Sequence, residues 1–234
     1  MKISVCGKGG CGKSTIVTLL ARELAARGEE VLIVDADESN YGLHRHLGME
    51  KPEDFMEYVG GKAGFLQSRG TDPKAFLNQY FKGPWTLSDI PEKYRTEKDG
   101  IKLMCSGKIQ AVGEGCACPF HSVLKAFVAH LQLFGRGIDS EMDLLFMVLD
   151  PSYESIQLAK KIAVMAAAIG KPVYYLLNRV DAAAQQVLID AVPDEDKVAC
   201  VIPVNPVLLA GGLSGSALTV RLPEIGRVAD LITG

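Results

Sequence analysis

The chain has 234 residues, 48% of them apolar, and its 25 basic and 28 acidic side chains leave a formal net charge of −3. This composition is sufficient for a large hydrophobic core and excludes a disordered or collagen-like chain. Because the charge is nearly balanced, the sequence offers no basic surface for nucleic acid or anionic lipid, and neither partner is expected.

The N-terminus lacks the apolar stretch and the cleavage site of a secretory signal, and no window offers 18 uncharged apolar residues. We therefore expect a soluble cytoplasmic protein that is not bound to a membrane. In that reducing compartment the 6 cysteines are expected to be thiols that bind or react, and not disulfides.

Short apolar runs alternate along the chain with longer segments of helical period, which is typical of an α/β protein with a parallel sheet. Strands are predicted at 2–6, 30–35, 101–105, 144–150, 172–178 and 198–202. Helices are predicted at 13–27, 119–131, 153–169 and 222–232. The segment 49–99 is rich in Gly and Pro, with short helical pieces such as 73–81, and is predicted to be an elaborated, loop-rich insertion within a single domain spanning residues 1–234.

Residues 7–15 read Gly-Lys-Gly-Gly-Cys-Gly-Lys-Ser-Thr and fit the phosphate-loop pattern G-x-x-x-x-G-K-[ST] between a predicted strand and a predicted helix. Glycines let the backbone turn its N–H groups toward phosphates, and the helix N-terminus adds its dipole. Lys13 is predicted to reach the β and γ phosphates, and the Ser14 hydroxyl to ligate Mg²⁺. The predicted nucleotide-binding residues of this loop are Gly9, Gly10, Cys11, Gly12, Lys13, Ser14 and Thr15.

Lys8 is an additional lysine in the first half of the loop, where ordinary phosphate loops carry none. With it, the loop resembles the deviant Walker A motif of the family that contains MinD, ParA and the nitrogenase iron protein. The resemblance implies a mostly parallel, doubly wound sheet flanked by helices. It also implies that Lys8 contacts the nucleotide of the partner subunit, so that Lys8 and Lys13 serve an ATPase that works as an ATP-controlled homodimer.

Asp35 and Asp37 follow the second predicted strand, at the strand end where doubly wound folds bind their ligands. By the same resemblance, Asp35 holds a Mg²⁺-bound water and Asp37 orients the water that attacks ATP. Acidic residues at a strand end also serve as helix caps or turn formers, and that alternative stays open.

Asn178-Arg179-Val180-Asp181 follows a predicted strand and resembles the N-K-x-D motif with which GTPases read their base. In the deviant Walker A family, however, the same asparagine contacts adenine. Pro203 and Asn205 end the next strand and are predicted to wall the base pocket. Lys8 favours ATP, while GTP as the nucleotide and a capping role for Asn178 remain alternatives.

Cys116 and Cys118 are separated by one residue, so that both thiolates can bind one soft metal ion. A twofold dimer would supply four thiolates, which suit tetrahedral Zn²⁺, planar Ni²⁺ or an iron–sulfur cluster. His121 is a possible extra ligand, although a polar residue in the first turn of a helix is favoured. The other cysteines are expected to be bystanders, and three of them lie in predicted apolar strands: Cys6, Cys105 and Cys200.

The segments 101–119, 134–137 and 149–155 resemble those of the CooC-type ATPases. These are accessory proteins for inserting nickel into carbon monoxide dehydrogenase and related enzymes. The resemblance implies a homodimer that carries Ni²⁺, or Zn²⁺ as its surrogate, on paired C-x-C motifs. ATP hydrolysis would rearrange the dimer, and the apo-enzyme would receive the metal.

Two other functions are ranked lower. An electron-transfer ATPase like the nitrogenase iron protein takes its iron–sulfur ligands from two separated loops, whereas Cys116 and Cys118 are adjacent. A MinD- or ParA-like positioning switch needs a membrane-binding tail or a basic face, and the segment 221–234 is neither strongly basic nor clearly amphipathic.

One element that the resemblance implies is missing. Family members have a buried strand that ends in the Walker B aspartate, followed by a second switch, whereas here the helix at 119–131 runs almost directly into Phe134-Gly135-Arg136-Gly137. Either the chain has this deletion and is a slow or inactive ATPase, or the sequence omits residues that the molecule contains. Omission is favoured, because losing a central strand should be severely destabilising. A Cα separation well above about 3.8 Å within 130–135 would reveal it.

Overall fold

The computed structural model describes residues 1–37, 42–67, 73–107, 118–131 and 142–234. Contacts divide the chain into two compact units, here called the first unit (Met1–Gly28, His46–Gly48 and Met142–Gly234) and the second unit (Glu29–Arg45 and Met49–Glu141). These contacts do not test the single domain expected for residues 1–234, which stays a prediction.

Strands and helices alternate along the chain, as the hydrophobic pattern predicts. The strands are β1 (Ile3–Gly7), β2 (Val31–Asp35), β3 (Thr96–Lys98), β4 (Ile101–Cys105), β5 (Leu144–Leu149), β6 (Val173–Val180) and β7 (Val198–Pro203). The helices are α1 (Lys13–Ala26), α2 (Leu43–Leu47), α3 (Gly61–Gln67), α4 (Pro73–Leu77), α5 (Cys118–His130), α6 (Tyr153–Ala168), α7 (Ala182–Ala191), α8 (Pro206–Ser214) and α9 (Pro223–Thr233). Short 3₁₀ turns lie at Phe55–Val59, Leu87–Asp89, Glu92–Tyr94 and Glu195–Lys197.

The first unit contains a wholly parallel sheet in the order β1, β5, β6, β7. Every residue of β5 is buried, as expected of an inner parallel strand covered on both faces. Because all four strands run the same way, their carboxyl ends lie at one edge of the sheet, where the loop after β1 begins. The four predicted strands of this unit are confirmed to within two residues.

Helix α9 is amphipathic and packs against α1 and β7. Its buried side chains, Ile225, Val228 and Ala229, follow the helical spacing of one face. The prediction that the segment 221–234 is not clearly amphipathic is therefore wrong. No helix in the described part of the chain has the length and apolarity needed to cross a membrane.

The second unit contains a three-stranded sheet in the order β2, β4, β3, with β2 and β4 parallel and β3 antiparallel to β4. Strands β2 and β4 were predicted, whereas β3 was not, because its sequence Thr-Glu-Lys is short and polar. The loop-rich segment folds around an aromatic core in which Phe55 contacts Trp85, Tyr94 and Phe127 with ring centroids 5.0 to 6.5 Å apart.

Each sheet ends at a strand that pairs on one side within the described residues: β1 pairs with β5, and β2 pairs with β4. An edge of this kind leaves backbone N–H and C=O groups outside the ladder formed by the described residues, and the missing strand that the resemblance places beside β1 stays a prediction. Most of the proposed break at 130–135, namely residues 132–135, lies outside the described part. The test by Cα separation is therefore not answered.

Candidate functional site

The predicted phosphate loop connects β1 to α1 in the first unit. The Cys11 N–H donates to the Lys8 carbonyl at 3.2 Å, which closes the loop into a turn. Gly12 then enters α1 with φ of 102°, a left-handed backbone conformation that favours glycine. This turn leaves the N-terminus of a 14-residue helix facing the loop, and such a terminus attracts phosphate through its N–H groups and dipole.

Lys13 bends back across the loop. Its Nζ donates to the carbonyl oxygens of Gly7 and Lys8, at 3.2 Å each. The lysine charge is thereby held within the turn to which the sequence assigns the phosphates. Ser14 and Thr15 follow in the first turn of α1, as the pattern requires.

Lys8 is bound within its own chain, to residues that follow β5. Its Nζ lies 3.2 Å from Asp150 Oδ2 and donates to Ser152 Oγ at 2.9 Å. Asp150 Oδ1 accepts hydrogen bonds from the hydroxyls of Ser152 and Ser155. Burial opposes ionisation of Asp150, but the hydrogen bonds from Ser155, Ser152 and Lys8 outweigh it and hold the pKa of this carboxyl below its usual value.

The Asn178-Arg179-Val180-Asp181 segment reaches the phosphate loop from β6. Asn178 is 3% exposed and its Nδ2 donates to the Cys11 carbonyl at 2.8 Å. A Cβ added at Gly12 would overlap this amide, which is a second reason for glycine at that position. Arg179 Nη1 donates to the Gly10 carbonyl at 2.9 Å. Contact of Asn178 with adenine stays a prediction.

Asp181 and Asn205 both cap helices. Asp181 Oδ1 accepts from the Ala184 N–H at 2.7 Å at the start of α7. Asn205 Oδ1 accepts from the N–H groups of Val207 and Leu208 at 2.9 and 3.2 Å at the start of α8. Pro203 is the exposed last residue of β7. The predicted roles of Pro203 and Asn205 in a base pocket stay predictions.

Asp35 and Asp37 lie in the second unit, at the end of β2. Asp35 is 6% exposed, and its Oδ1 accepts from the Asp37 N–H at 3.1 Å. The Asp35 carbonyl accepts from the Ser106 N–H at 2.9 Å, which joins the end of β2 to the residue after β4. The carboxylate of Asp35 thus stabilises a turn, and the roles of Asp35 and Asp37 toward Mg²⁺ and water stay predictions.

Gly107 after β4 and Phe120 in the first turn of α5 lie in close contact. Gly107 has φ of 149°, and a Cβ added there would lie 2.5 Å from ring carbons of Phe120. The ammonium group of Lys62 lies over the Phe120 ring, with its Nζ 5.2 Å from the ring centroid. Cys116 and the side chain of Cys118 lie outside the described residues, and the metal site predicted for them stays a prediction.

The remaining cysteines match their predicted character. Cys11, Cys105 and Cys200 are buried and Cys6 is partly buried, all four as free thiols. Burial raises the pKa of Cys6 to about 11 and that of Cys200 to about 12, and it also raises the pKa of Cys11. Among the described residues, no group of three or more His, Cys, Asp and Glu side chains could hold a metal ion. His121 is exposed in the first turn of α5.

No role was predicted from the sequence for Asp150, Ser152 or Arg179, although all three contact the phosphate loop or its lysine. Asp150 and Ser152 lie at the end of a predicted strand, and this position could have indicated a role in ligand binding. Arg179 lies inside a recognised motif, but the alternation of a regular strand predicts that its side chain faces away from Asn178.

Comparison with known proteins gives the same assignment as the loop geometry. The family model described as CobQ/CobB/MinD/ParA nucleotide binding domain matches residues 3–211. An uncharacterized ATP-binding protein of Methanocaldococcus jannaschii is 42% identical, with all of both chains covered. That alignment spans 249 positions, more than the 234 residues of this chain, so the relative has residues where this chain has none.

The carbon monoxide dehydrogenase accessory protein CooC of Rhodospirillum rubrum is 31% identical over 197 residues, which cover 76% of this chain and 74% of CooC. The septum site-determining protein MinD of Pyrococcus horikoshii, solved in complex with Mg-ADP, matches with a TM-score of 0.62 at 18% identity and covers 99% of this chain and 95% of its own. This likeness confirms the α/β fold with a mostly parallel sheet flanked by helices. The chain belongs to the CobQ/CobB/MinD/ParA family of nucleotide-binding domains.

Proposed function

We propose that the protein is an ATP-dependent homodimeric metallochaperone that assists nickel insertion into carbon monoxide dehydrogenase or a related enzyme. One observation carries this proposal: a single chain combines the two-lysine phosphate loop with the Cys116-Ala117-Cys118 pair and is 31% identical to CooC. Identity to CooC supports the client enzyme, and the loop geometry supports the nucleotide.

The phosphate loop would bind the triphosphate of ATP. Lys13 lies on the Gly7 and Lys8 carbonyls and would exchange these for the β and γ phosphates. Ser14 would ligate Mg²⁺, which neutralises charge on the phosphates. Asp35 would hold a Mg²⁺-bound water, and Asp37 would orient the water that attacks the γ phosphate.

Lys8 would act as the dimer contact. In the single chain its charge is satisfied by Asp150 and Ser152, with 33% of the Lys8 side chain and 19% of the Asp150 side chain exposed. An ion pair this exposed is weak, so the phosphates of a nucleotide in the partner subunit can compete for the lysine. ATP-driven dimerisation would then exchange one intrachain ion pair in each subunit for a contact between subunits.

The metal ion would be held by the thiolates of Cys116 and Cys118 from both subunits. This places the metal on the twofold axis, so the closed dimer completes the four-sulfur site. Coupling of this kind is reciprocal: if ATP tightens the metal site, the metal tightens ATP binding by the same factor. Hydrolysis would relax the dimer, weaken the metal site and release the cargo.

Titration of the protein with Zn²⁺ and with Ni²⁺, each with and without a non-hydrolysable ATP analogue, tests the proposal. We expect one metal ion per two chains and tighter binding with the analogue present. Identical affinities in both conditions would reject the coupling. Replacing both Cys116 and Cys118 with Ala should abolish metal binding and preserve nucleotide binding, whereas Cys200→Ala, which removes a buried thiol of β7, should preserve both.

Helix α9 gives no support to a MinD-like function in its membrane-binding form. The apolar face of α9 is packed on α1 and β7 and so is not offered to a lipid surface. Visible absorbance of an iron–sulfur cluster in anaerobically purified protein would instead favour an electron-transfer ATPase.

A further inference from the structure

Arg179 sits at an irregular point of β6. Consecutive side chains of a strand normally face opposite sides of the sheet, so Asn178, which is buried, predicts that Arg179 points away from the phosphate loop. The pairing of β6 with β7 shifts register between Asn178 and Val180, and Arg179 has φ of 59°. This bulge turns Arg179 back, so that two consecutive side chains reach the same loop.

The two side chains hold successive carbonyls. Arg179 Nη1 donates to the Gly10 carbonyl at 2.9 Å, and Asn178 Nδ2 donates to the Cys11 carbonyl at 2.8 Å. In a trans peptide the N–H points opposite to the C=O, so fixing the Gly10 carbonyl also fixes the Cys11 N–H. That N–H is the one that closes the loop on the Lys8 carbonyl at 3.2 Å. Arg179 therefore stabilises the same turn that the Cys11 N–H closes by donating to the Lys8 carbonyl.

The left-handed backbone conformation of Arg179 is unfavourable, so other interactions must offset its free-energy cost. Among the described residues, Asp99 is the other non-glycine with positive φ, at 53°. Asp99 is followed by Gly100 in the turn between β3 and β4, where aspartate and glycine both tolerate such angles. Arg179 belongs to a strand and has no such turn to explain it. Strain of this kind persists at positions where function requires it.

We infer that Arg179 is a positioning residue for nucleotide binding, which holds the phosphate loop in its binding conformation through the Gly10 carbonyl. The inference rests on the proposed binding of a nucleoside triphosphate at this loop. Arg179 acts through the loop, and its guanidinium also adds positive charge beside a site for a polyanion.

The variant Arg179→Gly separates this role from a structural one. Glycine accepts the left-handed conformation at little cost, so the variant loses the hydrogen bond and also the strain. We expect its urea unfolding midpoint to be unchanged or higher. We expect its affinity for Mg-ADP to fall by about tenfold, the effect of losing a hydrogen bond from a charged donor. Asp99→Gly is the matched control, because it replaces the other positive-φ residue with glycine in the second unit. This control should bind Mg-ADP like the wild type.

Hydrogen exchange of the Cys11 amide without nucleotide provides the readout that does not depend on the proposed function. We expect faster exchange in Arg179→Gly and no change in Asp99→Gly. Unchanged exchange in Arg179→Gly, or unchanged affinity for Mg-ADP, would overturn the inference. A wild-type protein that binds no Mg-ADP would instead reject the proposed function, while the exchange experiment would still decide the role of Arg179.

Discussion

The Lys8 ammonium lies 3.2 Å from the Asp150 carboxylate of the same chain, although the proposed function places Lys8 on the nucleotide of the partner. Asp150→Asn removes this competitor without changing the size of the side chain. One partly exposed ion pair is worth up to about 1 kcal/mol, and two such pairs break in each dimer. We therefore expect the dimer with an ATP analogue to form about tenfold more tightly, as measured by analytical ultracentrifugation.

The control for this prediction is Asp190→Asn, which makes the same chemical change on α7, where the carboxylate accepts from Gln186 at 2.7 Å. That variant should dimerise like the wild type. A dimer of Asp150→Asn that is equal to or weaker than wild type would contradict the competition between Asp150 and the partner's phosphates.

Three glycines of the phosphate loop separate backbone strain from steric overlap. Gly12→Ala combines φ of 102° with overlap on the Asn178 amide. Gly10→Ala has φ of 81° but open space around the added methyl, and Gly9→Ala has open space without positive φ. We expect Gly10→Ala to lose about 1 to 2 kcal/mol of unfolding free energy, Gly12→Ala to lose more, and Gly9→Ala to lose none. Urea unfolding without nucleotide measures all three, and equal losses for Gly10→Ala and Gly12→Ala would deny the contact with Asn178.

Gly107 and Gly83 provide a similar pair in the second unit. Both have positive φ, but a Cβ at Gly107 would press on the Phe120 ring, whereas Gly83 has nothing within 4 Å. We expect Gly107→Ala to be the more destabilising variant by about 1 kcal/mol or more, because a buried ring must move. Equal stability of the two variants would argue against the Gly107–Phe120 contact.

The buried thiol of Cys200 should make the protein less stable at alkaline pH. Burial raises the pKa of this thiol to about 12, whereas an unfolded cysteine ionises near about 8.5. Because the folded pKa lies above the unfolded pKa, the contribution of this thiol to stability is complete below the unfolded pKa. This contribution is lost as the pH rises from the unfolded pKa through the folded pKa. The wild type should therefore lose up to about 1.4 kcal/mol per pH unit relative to Cys200→Ala between about pH 9 and 11. Ionisations shared by the two proteins cancel in this difference, and parallel stability curves would contradict the prediction.

Peptide mapping decides the missing strand. If residues are omitted from the sequence near 130–135, the tryptic peptide that runs from residue 126 to Arg136 does not exist in the protein. We expect mass spectrometry to find a longer peptide there, because losing a central strand of the sheet should be severely destabilising. Detection of the contiguous peptide would establish a true deletion, and a slow or inactive ATPase would then be expected.

Most of the fold follows from local sequence patterns. Six of the seven strands found among the described residues were predicted, because apolar runs of strand length stand out from their surroundings. Helix α8 was not predicted, because Pro206–Ser214 is apolar on nearly every side and has no helical period to detect. Helix α7 was missed for a related reason, since its alanine-rich sequence has one buried large side chain, Leu188.

The phosphate loop can be located from the sequence alone, because the spacing of its glycines and lysines between a strand and a helix is a local property. The contacts that hold this loop are visible only in the folded chain. Lys8 meets Ser152 across 144 positions of the chain, Asn178 meets Cys11 across 167, and Arg179 meets Gly10 across 169. These contacts exist because parallel strands bring their carboxyl ends to one edge of the sheet, and because a bulge in β6 reverses the direction of a single side chain. The hydrophobic pattern predicts the parallel strands, but it does not predict which residues meet at that edge, and it does not predict the bulge.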